Sequence, residues 1–241
     1  MANKSAKQKL VVLTGAGISA ESGLATFRDT NGLWKQYDAK KLASLDGFKE
    51  NPQAVLDFYN YRRNELLNAK PNYAHLLLAE LEKYYKVTII TQNVDNLHER
   101  AGSTHVIHLH GELTKVTSSK DKLNPRYIKD YPLNIPIRIG DKAGDDSQLR
   151  PFIVWFGESV YAMEVAIDWI TDADIFIVIG TSLTVYPAAN LVEYVRSEAI
   201  KFIIDPTDLS AKLPNGFSHI QDYATSGVKR LVNELVLNRK L

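Results

Sequence analysis

The feature that most constrains this chain is the alternation of short β-branched runs with longer amphipathic stretches. Segments 10–13, 86–91, 106–107, 152–156, 174–180 and 201–204 each read as a strand. Several are apolar on both faces, which is what a parallel sheet covered by helices on both sides requires. Between them, 52–68, 72–85, 160–171, 187–199 and 226–239 carry helical spacing, two of them with proline at or near the first turn. Strand and helix alternate, so the expected class is α/β with an open, doubly wound, mostly parallel sheet. Two stretches break the rhythm. Segment 115–150 is rich in Lys, Asp, Asn, Pro and Gly, offers one alternating apolar run at 135–139, and reads as a small inserted module. Segment 22–48 reads as a long irregular connection, and loops of that length in compact domains usually carry function.

At 241 residues, 45% apolar and 24% charged, the chain has the profile of one large soluble domain, or one domain with a small insert. No apolar run approaches the ~20 residues needed to cross a bilayer, and the first residues lack a signal-peptide core. The expectation is a cytoplasmic protein with no membrane partner. A net charge of +1 without a basic block gives no electrostatic footprint for nucleic acid. The absence of cysteine excludes disulfides, thiolate zinc sites, iron–sulfur clusters and cysteine nucleophiles.

Three clusters could carry chemistry. The first strand runs into Gly15-Ala16-Gly17-Ile18-Ser19-Ala20, whose Gly-x-Gly-x-x-Ala spacing fits a relaxed dinucleotide fingerprint in which turn amides approach a pyrophosphate. Glycine after a buried strand is also an ordinary turn, and the acidic residue expected ~20 positions on is missing. The second cluster, Gln92-Asn93-Val94-Asp95, follows a strand end where open α/β sheets bind ligands. One polar residue there reads as a helix cap, but three exceed what a cap needs. The third holds His105, His108 and His110. Alternation puts His108 and His110 on one face, as a metal pair completed by Glu112, as a base beside a structural histidine, or as two structural residues. Gly180-Thr181-Ser182, after the most apolar strand, is a further turn compatible with phosphate or ribose.

Taken in order, Gly15-Ala-Gly-Ile-Ser19, Thr26-Phe-Arg28, Thr91-Gln-Asn-Val-Asp-Asn-Leu-His98, His108-Leu-His-Gly-Glu-Leu113, Val154-Trp-Phe-Gly-Glu158 and Gly180-Thr-Ser182 resemble the sirtuin family of NAD-dependent protein deacylases. The resemblance implies a single catalytic domain over 1–241, with a Rossmann-like core and small-module segments at about 22–70 and 115–150. It implies NAD as cofactor, acylated-lysine proteins or peptides as substrates, and nicotinamide and O-acyl-ADP-ribose as products. By the same resemblance, Gly15, Ala16, Gly17, Phe27 and Arg28 line the cofactor loop. Gln92, Asn93 and Asp95 hold the nicotinamide and its ribose, and His110 is the catalytic base. Gly180, Thr181 and Ser182 meet the adenosine half, while Val154, Phe156 and Gly157 border and pair with the acyl-lysine.

The sequence departs from the family pattern in two places. The four cysteines that hold a structural zinc in most sirtuins are absent, with serine at 118–119 where the first is expected, so no metal is expected. The small module would then rest on packing of Leu123, Tyr127, Ile128, Tyr131, Leu133, Ile135, Ile137 and Ile139, alone or together with charge pairs. Asp205 stands where the family places an asparagine against the adenine ribose. Tyr59 and Arg62, three apart on one helical face, resemble the mark of the subgroup that removes acidic acyl groups, at a matching distance from Trp34. Ala43 falls where that subgroup keeps a small residue. The expected activity is therefore desuccinylation or demalonylation with some deacetylation. The alternatives are mono-ADP-ribosyl transfer and an inactive NAD- or ADP-ribose-binding module.

Overall fold

The computed structural model describes residues 7–26, 39–209, 211, 213 and 215–237; Phe27, Arg28 and Trp34 lie outside the described residues. Within the described residues, β1 (Lys9–Thr14), β2 (Lys86–Thr91), β3 (Val106–His108), β7 (Ile175–Ile179), β8 (Ile200–Ile204) and β9 (Phe217–Ile220) form a parallel six-stranded sheet ordered β3-β2-β1-β7-β8-β9. The both-sided apolar pattern has its cause in two separate cores. Leu10, Val12, Ile89, Ile177 and Ile204 pack beneath α5 (Tyr73–Glu80) and α8 (Ala224–Leu237). Val11, Leu13, Ile90, Phe176, Val178 and Ile203 face α7 (Met163–Thr171) and a 3₁₀ helix at Ala188–Tyr194. That second segment was expected to be a helix over 187–199; it is shorter and more tightly wound, and Val195 is already extended.

A second sheet, ordered β5-β4-β6, is antiparallel and joins β4 (Gly111–Ser118), β5 (Lys129–Asp130) and β6 (Leu149–Ile153). Its helical partner is α4 (Pro52–Asn68), where Pro52 opens the first turn and the Asn51 side chain accepts from the Ala54 amide. The expected strand 152–156 ends early, because beyond Ile153 the backbone changes partners. The Val154 amide donates to the His110 carbonyl, and the Phe156 amide to that of Ala43.

The small sheet is held differently from the sequence expectation. Leu123, Ile135 and Ile139 are exposed, so they do not form its core, whereas Ile137 is buried and Leu133 and Tyr131 pack at its margins. Segment 135–139 is not a strand; Asn60 pins Ile137 by accepting from its amide and donating to its carbonyl, each at 2.8 Å. Fully buried Arg63 donates to the carbonyls of Leu113, Pro132 and Ile135. Ser118, where the first zinc cysteine was sought, is the hub of a hydrogen-bonded knot. Its hydroxyl donates to Asp145 at 2.7 Å and accepts from the amides of Lys120 and Asp121 at 3.0 and 2.9 Å. Asp145 also accepts from the Ser147 hydroxyl at 2.7 Å. Among the described residues no group of three or more His, Cys, Asp or Glu could hold a metal ion.

Ser118 is fully buried, so removing its hydroxyl leaves two amide donors and Asp145 without their partner. Ser118→Ala is expected to cost about 1–3 kcal/mol of stability in urea unfolding; an unchanged midpoint would mean the knot does not hold the small sheet.

Candidate active site

The site forms where the turns after β1 and β7 meet. The Gly15 amide donates to the Ile179 carbonyl and the Gly17 amide to the Gly180 carbonyl at 2.8 Å. A Cβ at Gly17 would lie 2.6 Å from the Gly180 Cα, and Gly180 itself has φ +60°. The glycines are therefore required for close approach of two backbones. This corrects part of the fingerprint reading: the Gly15 and Gly17 amides are already engaged within the protein and are not presented to a phosphate.

A cavity of about 980 Å³ opens above these turns at the carboxyl ends of the strands, the place where an open α/β sheet binds its ligand. It is lined by Gly15, Ala16, Gly17, Gln92, Asn93, Asp95, His110, Gly180, Thr181, Ser182 and Asp205, and on its other side by Ala43, Tyr59, Arg62, Val154, Phe156 and Gly157. Every site residue that the resemblance implies, within the described segments, thus borders one space; His105, His108 and Glu112 do not.

The loop after β2 is held through three successive carbonyls. Gln92 O accepts from His110 Nδ1 at 2.9 Å, Asn93 O from His108 Nδ1 at 3.2 Å, and Val94 O from the Leu113 amide at 2.8 Å. The Asn93 side-chain amide donates to Gly15 O and to the Ser19 hydroxyl, which in turn donates to Asp95. Asp95 also accepts from the amide of Leu97, the first residue of α6 (Leu97–Ala101), while bordering the cavity. Burial pushes the Asp95 carboxyl up, against the pull of the Leu97 and Ser19 hydrogen bonds. Gln92 reaches across to the Thr181 hydroxyl at 3.1 Å.

The two histidines that alternation could not separate have different second partners. His108 Nε2 meets Glu99 at 2.7 Å. Burial alone would lower the His108 pKa, but the Glu99 carboxylate outweighs it and raises the value above 6.5. With both ring nitrogens donating, His108 is a charged brace between Glu99 and the Asn93 carbonyl. His110 has no such carboxylate, and burial lowers its pKa below 6.5 despite the Gln92 hydrogen bond. Because Nδ1 donates to Gln92, the neutral ring carries its lone pair on Nε2. His105 belongs to neither role: it bonds Thr88 and packs against Trp169. The metal alternative is not met, since Glu112 pairs with Lys115 at 2.7 Å and does not join the histidines.

The cavity wall at Trp155 and Glu158 rests on a pair that sequence reasoning missed. Arg150, 1% exposed, donates two bonds to Glu158 and one to Ile153 O, with its guanidinium carbon 3.2 Å from the centre of the Trp155 ring. Glu158 also accepts from the Trp155 amide and pairs with Lys122 at 3.1 Å. Glu158 lay in a quoted motif, but nothing local marks Arg150 as its partner.

Residues 15–187 match the Sir2 family. The chain belongs to the Sir2 family. A Bacteroides thetaiotaomicron relative named NAD-dependent protein deacylase is 54% identical over 95% of this chain and 98% of its own length. A solved Sir2 homologue–NAD complex superposes with a TM-score of 0.85 at 38% identity, covering 96% of this chain and 91% of that one. A Sir2 homologue variant bound to 2′-O-acetyl ADP ribose superposes at 0.86 with 37% identity, covering 98% and 94%. This Sir2 chain shares the parallel sheet and smaller antiparallel sheet of those neighbours.

The Glu99–His108 brace has a defined pH window. Glu99, whose pKa the His108 hydrogen bond lowers against burial, contributes stability above its ordinary 4.5, lost as pH falls through its lower folded value. His108 contributes fully below its ordinary 6.5, with loss as pH rises through its raised folded value. The destabilisation caused by Glu99→Gln should therefore be greatest between about pH 4.5 and 6.5 and shrink on either side. A pH-independent difference in unfolding midpoint would rule out the charged brace.

Proposed function

We propose that this chain, an NAD-dependent protein deacylase, removes succinyl and malonyl groups from lysine in preference to acetyl, releasing nicotinamide and O-acyl-ADP-ribose. The observation that carries the reading is that buried Tyr59 and Arg62 border the same cavity as His110, Asn93 and Gly15.

The residues suit a dinucleotide. Asn93 uses its NH₂ group on Gly15 and Ser19, so its Oδ1 is the atom that accepts from a nicotinamide amide. Asp205 and Ser182, which border the same cavity, bring oxygen acceptors for ribose hydroxyls. NAD supplies the glycosidic bond whose cleavage leaves an electrophilic sugar carbon. Residues that hold the nicotinamide in the geometry of departure act on the transition state more than on the ground state. His110 Nε2, unprotonated at neutral pH, takes a proton from a ribose hydroxyl. The Val154 amide is engaged by His110 O, which leaves the Val154 carbonyl, with Gly157, to pair with a substrate backbone. The described parts of segments 22–70 and 115–150 act as a small module within one catalytic domain, the first of them carrying Ala43, Tyr59 and Arg62.

A planar guanidinium can hold an acyl carboxylate through two parallel hydrogen bonds, and Tyr59 can add a third. Burial keeps the Tyr59 hydroxyl protonated far above neutrality, so it remains a donor. A charge-assisted hydrogen bond of about 1.5–3 kcal/mol favours an acidic acyl group by roughly one to two powers of ten.

His110→Ala is expected to abolish O-acyl-ADP-ribose formation, followed by mass spectrometry, while NAD binding persists. In the unsubstituted protein, activity should fall only as pH drops through the lowered His110 pKa, below 6.5; near-normal turnover in His110→Ala would remove the mechanism.

Arg62→Met should reduce kcat/KM for a succinyl-lysine peptide at least tenfold, and for the acetyl-lysine peptide by no more than about twofold. Equal losses on both peptides would show that Arg62 supports the fold and does not read the acyl group.

A further inference from the structure

Arg62 already has a partner. Its Nη1 donates to Glu65 Oε2 at 3.0 Å, and the two side chains are only 9% and 20% exposed. They lie one turn apart on α4, where i and i+3 side chains meet. No other protein hydrogen bond to this guanidinium is present among the described residues. The contrast is Arg150, the other arginine whose charge reaches Tyr59, which is locked twice on Glu158 and stacked on Trp155. Arg150 does not border the cavity, whereas Arg62 does and keeps its Nη2 and Nε groups for a ligand there.

A pocket that reads a carboxylate through a buried cation meets a difficulty whenever the acyl group is neutral. An unpaired buried charge is strongly destabilising. Glu65 answers it from outside the cavity wall, since Arg62 borders the cavity and Glu65 does not. The consequence for an acidic acyl group is opposite. Its carboxylate approaches a pair of zero net charge, and at low exposure the repulsion from Glu65 is poorly screened.

We infer that Glu65 is a built-in counter-ion for Arg62 that sets the ratio of acidic to neutral acyl removal: it satisfies Arg62 when the acyl group is neutral and weakens binding when it is acidic. The inference rests on the acidic-acyl reading of Arg62 above. It makes Glu65 a specificity residue that need not touch the reacting atoms.

The test is Glu65→Gln, which keeps an oxygen to accept from Arg62 Nη1 and removes only the charge. The succinyl-to-acetyl ratio of kcat/KM should rise about tenfold, mainly through a lower KM for the succinyl-lysine peptide. Glu65→Asp, which withdraws the carboxylate by one methylene, should shift the ratio the same way by less and serves if the glutamine variant folds poorly. An unchanged or reduced ratio in both would overturn the inference. Arg62→Met measured in parallel separates the two ideas. If it lowers desuccinylation while the Glu65 variants leave the ratio unchanged, only the counter-ion is wrong. If it leaves desuccinylation intact, the acidic-acyl reading itself fails.

Discussion

The structure depends on the contact between the turn after β1 and the turn after β7. Two parallel strands end side by side, and their backbones continue to touch beyond the sheet because Gly15, Gly17 and Gly180 carry no side chains there. The floor of the cavity is thereby made of backbone held by backbone. Asn93 fastens the neighbouring loop to the same floor through Gly15 O, so the elements that border the site share one reference point.

On that floor, chemistry is distributed by small electrostatic differences. His108 and His110 begin alike, each donating from Nδ1 to a carbonyl of the same loop. A single carboxylate favours the charged form of the first, and the lack of one leaves the second a ring whose neutral form burial favours, with an open nitrogen. Arg150 and Arg62 divide in the same manner: bidentate pairing commits one to the wall, and a single bond leaves the other able to respond.

Much of this was legible in the sequence, for physical reasons that also explain the failures. Strands such as Ile175–Ile179 are buried on both faces and cannot be mistaken. The glycine turns and the Gln92–Asp95 loop are local signals at strand ends, and they do border the cavity. The small sheet was illegible because its order comes from long-range polar contacts. β4 is half polar and bulged between Glu112 and Val116, and the 135–139 segment owes its place to Asn60, 77 positions before Ile137. Periodicity reports apolar burial, so it credited Leu123, Ile135 and Ile139 with a core that Arg63, Asn60 and Ser118 supply. The same limit hid the purpose of Arg150 and of Glu99.

Helix α4 carries a consequence of its own. Tyr59 and Arg62 face the cavity, while Asn60 and Arg63, each one position along, face the small sheet and tie it down. One helix is therefore a party wall between two rooms, with adjacent residues serving opposite sides. Sliding or rotating it to reshape the cavity would pull Asn60 and Arg63 out of their sockets. The cavity lining of this chain can therefore change by exchange of side chains in place, whereas a shift of register in the helix would cost it the ties to the small sheet.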